Sequence, residues 1–196
     1  MYNAAVWLYR VKKVYGDDLE IRWRNFSLEQ VNSKNGPEWK AWDEHEDFQS
    51  RGIPALKAGL AARNQGQELF DKFHMAVLLA RHGGERRNIG DVDVLLDIAS
   101  ACGLNSDQLK EDMSDPSLVD VIADDHTGAV EEKGIFGTPT FVFDNGASGY
   151  LKMFIPPEAD DLSLFDSVIK IVGDSLYFGE LKRPQPPWPK GVFRSE

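Results

Sequence analysis

With a single cysteine, Cys102, the 196-residue chain can form no disulfide within itself. It also has no apolar run near the ~20 residues that a membrane-crossing helix requires. Positive charge is in deficit, with 22 Lys and Arg against 32 Asp and Glu and a formal net charge of −10. Such a surface repels phosphate backbones, and no basic stripe in the sequence offsets it, so nucleic acid and anionic membranes are poor partners. The N-terminal Met-Tyr-Asn-Ala-Ala-Val-Trp-Leu-Tyr-Arg lacks the basic start and the later small-residue cleavage site of a secretory signal. These absences together point to a cytoplasmic protein.

The residues that are present suit a globular domain. Hydrophobic residues make up 42% and charged residues 28%, close to globular averages. Ala4, Leu8, Val11 and Tyr15 recur at helical spacing over Asn3–Tyr15, with Gly16 as a stop. Leu19-Glu20-Ile21-Arg22-Trp23-Arg24 alternates apolar and charged residues, the pattern of an outer strand with one wet face. Asn25–Pro37 has loop composition. From Glu38 to Lys133 the periodicity predicts helices over Glu38–Phe48, Pro54–Arg63, Gln67–Arg81, Asp91–Ala101, Asp107–Met113 and Pro116–Lys133. Pro54 and Pro116 suit first turns, Gly83 and Gly103 suit C-caps, and Asn105 or Ser106 can cap the short helix.

Strand character returns at Thr140-Phe141-Val142-Phe143, turns at Asp144-Asn145-Gly146, and resumes over Tyr150–Ile155. Leu162, Phe165, Ile169 and Val172 then outline a final amphipathic helix. Arg183-Pro-Gln-Pro-Pro-Trp-Pro must be extended, because four prolines in six residues forbid a helix.

The informative stretch is Gly134-Ile135-Phe136-Gly137-Thr138-Pro139-Thr140-Phe141-Val142-Phe143. Proline cannot donate to a sheet ladder, so Pro139 belongs at a strand's mouth or edge. An X–Pro bond adopts cis at a cost of only about 0.5–1 kcal/mol. A cis Thr138–Pro139 bond would turn the chain and leave the main-chain groups of Thr138 unpaired, able to take an extended peptide as an extra strand. The alternative is that Thr138-Pro139 punctuates a loop and a strand in another α/β fold.

Gly-x-x-Gly-Thr-Pro-Thr-Phe-Val, followed by a hairpin and a terminal helix, resembles the cis-proline region of DsbA-family thioredoxin-fold proteins. The subgroup it looks like includes cytoplasmic DsbA-like oxidoreductases and 2-hydroxychromene-2-carboxylate isomerases. The resemblance implies an α/β thioredoxin-like fold with a helical insertion. Its core would be residues 1–37 and 134–180, its insertion 38–133, and its Pro-rich extended tail 181–196. It further implies that Thr138 and Pro139 bind the substrate, a thiol- or disulfide-bearing peptide or glutathione.

The family pattern also has an opening strand and a Cys-x-x-Cys at the first helix, and neither is in this sequence. Tyr2-Asn3-Ala4-Ala5 resembles the stretch just after the second cysteine, so no catalytic residue is present and the pair is expected just before Tyr2. The expectation is an N-terminally truncated thioredoxin-like fold. Removing that inner strand would leave ladder groups unpaired, and a strand from a second copy could fill the gap, which predicts a homodimer. Cys102 is no substitute, since it falls near a helix C-terminus where the macrodipole disfavours a thiolate. A buried, inert role fits it better.

The resemblance implies three candidate functions. The first is a DsbA-like thiol–disulfide oxidoreductase, inactive as the sequence stands because the Cys-x-x-Cys is absent. The second is a glutathione-dependent isomerase or transferase of the same fold, and the third a non-catalytic peptide-binding module. No cofactor is expected beyond glutathione. His45, His74, His82 and His126 have no metal-site spacing, and solvated or core-edge positions explain them. Asp124-Asp125-His126 reads as a wet helical face, and His45-Glu46 lacks the second histidine of a metalloprotease helix. Trp39 and Trp42 could line a pocket or pack in a core.

Overall fold

The computed structural model describes residues 1–43 and 48–182. The chain divides into two compact units, one built from Met1–Arg22 with the chain from Gly137 onward, the other from Trp23–Phe136.

In the first unit, helix α1 spans Tyr2–Tyr15 and ends at Gly16, with Lys12 and Lys13 in its last turn where the dipole favours cations. Its buried face carries Ala4, Ala5, Trp7, Leu8 and Val11. A two-stranded antiparallel hairpin belongs to the same unit, with β1 (Thr140–Val142) paired to β2 (Ser148–Tyr150) so that Thr140 faces Tyr150 and Phe141 faces Gly149. The ladder therefore closes sooner than the predicted return strand Tyr150–Ile155. The tight turn brings the carbonyl of Ala147 to the amide of Phe143, which leaves only residues 148–150 opposite β1.

Helix α8 (Asp161–Val168) continues into a π-helical turn over Ile169–Asp174. Its buried face is Asp161, Phe165 and Val168, while Leu162, predicted to face inward, is exposed. The inward place goes to Asp161 because its carboxylate meets Arg10 of α1 at 2.7 Å. The Asp161 carbonyl also accepts from the Trp7 indole at 3.1 Å, and the Trp7 ring tilts against Phe165 at 5.9 Å.

The predicted strand Leu19–Arg24 keeps its alternation, with residues 19, 21 and 23 half-buried and 20, 22 and 24 exposed. It is not a strand, because pairing and not alternation defines one, and side chains take up its carbonyls. Lys12 Nζ donates to the Leu19 carbonyl and the Arg63 guanidinium to that of Trp23, each at 2.6 Å.

The second unit is helical. Short helix α2 (Leu28–Val31) lies where loop composition predicts none, capped by Ser27, whose hydroxyl accepts from the Gln30 amide at 3.1 Å. The predicted helix Glu38–Phe48 does not form over residues 38–43, and residues 44–47 lie outside those described. The Gln30 carboxamide clamps this stretch, donating to the Trp39 carbonyl and accepting from the Ala41 amide, so the backbone makes turns instead.

Helices α3 (Ile53–Arg63), α4 (Gln67–His82), α5 (Val92–Cys102) and α6 (Ser106–Asp112) fall where the periodicity places them. Asp91 and Asn105 cap α5 and α6, and Gly103 ends α5 in the left-handed conformation. Helix α7 (Ser117–Thr127) runs into a π-helical turn at Gly128–Glu132. Phe70, Phe73, Leu95, Ile98, Leu109 and Met113 form the centre of this unit's core, closed by Ala58, Ala61 and Ala62. None of the described helices is long and apolar enough to cross a membrane.

Candidate functional site

The Thr138–Pro139 peptide bond is cis. It sits immediately before β1, whose first residue, Thr140, anchors the approach by donating its hydroxyl to the Gly137 carbonyl at 2.7 Å. Pro139 has no N–H, but its carbonyl accepts from the Leu151 amide at 3.0 Å, extending the hairpin's pairing back to the proline. The N–H and carbonyl of Thr138 make no hydrogen bond with a described residue. A half-buried main-chain pair left open beside a strand mouth can donate to and accept from one residue of an extended guest chain.

At the start of α1, Met1 occupies the cap position and offers no side-chain hydrogen bond; its carbonyl accepts from Ala5 at 3.1 Å. The first turn of α1 holds no acidic residue. Tyr2 is buried, and the Asn3 amide donates to the Met153 carbonyl at 3.0 Å, fixing α1 to the segment after β2.

Cys102 is the last residue of α5, and burial pushes its thiol above the usual range, only partly countered by Lys72. A thiol held protonated at a helix C-terminus is a poor nucleophile. Among the described residues no three His, Cys, Asp or Glu side chains converge as a metal site.

The Asp124-Asp125-His126 segment is not a wet face. Only Asp124 is exposed. Asp125 accepts from the main-chain amide and carboxamide of Asn25 at 2.9 and 2.7 Å, and His126 is buried with Nδ1 accepting from the Ser27 amide at 3.1 Å. Burial and Lys40 hold the His126 pKa below the ordinary histidine value. This cluster docks α7 onto the 25–27 segment, a structural role whose only sequence signal is the Ser27-x-x-Gln30 cap. His74 is likewise packed, edge-on to Trp23 at 4.7 Å and stacked on Phe70 at 5.4 Å. Trp42 lies beside His126 and lines a cavity of the helical unit, whereas Trp39 packs edge-on against Phe48 at 5.0 Å. His45 lies outside the described residues.

The hairpin and the helices of the described residues make this a mostly helical α/β protein. The family model for the DSBA-like thioredoxin domain matches residues 2–170, and the chain belongs to that family. No curated protein matches it.

Proposed function

We propose that this chain is a DsbA-like member of the thiol–disulfide oxidoreductase family that holds an extended peptide at Thr138–Pro139 and, with the residues of this sequence, performs no thiol exchange. The observation that carries the reading is the open main-chain pair of Thr138 at the mouth of β1, in a chain of the DSBA-like family. Exchange needs an exposed thiolate and a second thiol to resolve the mixed disulfide. The one thiol present, Cys102, meets neither requirement. The guest would be a thiol- or disulfide-bearing peptide, or glutathione. The acidic surface argues against nucleic acid and anionic membranes, and a lone cysteine suits the reducing cytoplasm. The open edges of a two-stranded sheet leave room for a second copy, so a homodimer belongs to the same reading.

Insulin reduction and thiol oxidation assays on this chain should show no turnover above background. In an amide-resolved NMR titration, an extended cysteine-containing peptide should shift the resonances of Gly137, Thr138 and Thr140. Turnover would overturn the inactivity, and unmoved amides at these three residues would overturn the docking. Shifts produced by glutathione but not by the peptide would favour the isomerase or transferase reading.

A further inference from the structure

The helical unit contains a cavity of about 1180 Å³ whose lining includes Arg51, Lys57, Arg81, Arg86 and Lys110. These come from the approach to α3, from α3 itself, from the end of α4, from the loop after it and from α6. In a chain of net charge −10, a concave wall of five cations is the reverse of the surface average. Only two carboxylates share the described lining, Asp43 and Asp91, and Asp91 is already engaged as the cap of α5, accepting from the Asp93 amide at 2.9 Å.

Several cations elsewhere are paired, as in Arg10–Asp161, Arg24–Asp125, Lys72–Glu68 and Arg87–Asp97. None of the five cavity side chains forms an ion pair or hydrogen bond with a described residue. Like charges gathered around a hollow repel one another, and an anion in the hollow relieves that repulsion. Arg86 is also the one described non-glycine residue with positive φ, at 50°, a conformation that side chains other than Gly, Asn and Asp rarely hold. Three of the five are arginines, whose planar forks match phosphate and carboxylate oxygens two at a time. Trp42 and Phe48 give the same lining an aromatic wall.

We propose that this cavity is a binding site for a small organic polyanion, its phosphate or carboxylate groups held by the cation cluster and a flat apolar part lying against Trp42 and Phe48. The site is independent of the Thr138–Pro139 segment, since every described lining residue belongs to the Trp23–Phe136 unit.

The test is calorimetric titration of the full chain with sodium tripolyphosphate, trisodium citrate and ATP at low and raised salt. Tripolyphosphate or citrate should bind, whichever oxyanion the site takes, and ATP should bind at least tenfold more tightly than tripolyphosphate through its base. All affinities should fall as salt rises. Combined Arg51→Gln, Arg86→Gln and Lys110→Gln, all at exposed positions, should weaken binding at least tenfold. Arg51→Lys with Arg86→Lys should keep most of it. The charge-matched control, Lys13→Gln with Lys170→Gln and Lys182→Gln in the other unit, should leave it unchanged. Absence of binding by all three probes overturns the proposal. So does equal loss in the cavity variant and the control, or full binding by the cavity variant.

Discussion

His74 occupies a slot formed by the Trp23 edge, the Phe70 face and the neighbouring Arg63, whose guanidinium lies 4.8 Å from the centre of the Phe70 ring. Burial, with Arg63 second, lowers its pKa to about 4 from the ordinary 6.5. An unfolded chain would take up this proton near pH 6.5, the folded one only near 4. The contribution to stability is therefore complete above about 6.5, falls as pH drops from there, and levels off below about 4. At about 1.4 kcal/mol per pH unit of difference, the full effect is on the order of 3 kcal/mol. His74→Gln should accordingly shrink the fall in melting temperature between pH 7 and pH 4.5. An unchanged fall would show that His74 titrates freely. Histidine type alone does not reveal such a slot, because its walls come from Trp23, from the end of α3 and from α4 itself, and only the fold brings them together. The same holds for His126, whose partner amide at Ser27 lies 99 residues away. Thr138 and Pro139 are legible in the sequence for the opposite reason. Their signal is local, a proline preceded by Gly137 and followed by a β-branched, aromatic run.

Among the elements, α3 to α6 are legible because helical periodicity and caps act within a few residues. Sequence and structure part where one distant side chain decides. Gln30 turns residues 39–41 out of a helix, and Ser27 and Gln30 start α2 inside a stretch of loop composition. At β2, the tight turn after β1 places Gly149 opposite Phe141 and close against the π-helical turn after α8. A methyl group added there would run into Val172 of the π-helical turn. Valine is stiff at χ1 and cannot swing aside. Gly149→Ala should therefore destabilise the chain by about 1–3 kcal/mol, the usual cost of overpacking. Pairing it with Val172→Ala should recover most of that loss in a denaturant melt. Failure of the second change to rescue the first would place the clash elsewhere.

At the scale of the whole molecule, the resemblance carried by one decapeptide and the order of elements around it reaches the right family, and the family match spans residues 2–170. The basic cavity is out of reach of any such local signal. Its five cations are scattered from residue 51 to residue 110, so the sequence shows no stripe, and only helix packing assembles them. The core of the helical unit, from Ala58 to Met113, is closed within the Trp23–Phe136 segment. Expressed alone, that segment should give a cooperative thermal transition with helical circular dichroism; a broad, non-cooperative melt would show that it depends on the rest of the chain. The other unit is assembled from opposite ends of the chain. Trp7 of α1 finds its carbonyl partner 154 residues downstream, at Asp161. At ~5–20 residues per second on the ribosome, α1 waits about 8–30 s for α8 to be made. Throughout that interval its Trp7, Leu8 and Val11 stripe is a nascent sticky surface, so the newborn protein should be a client for chaperones until α8 emerges.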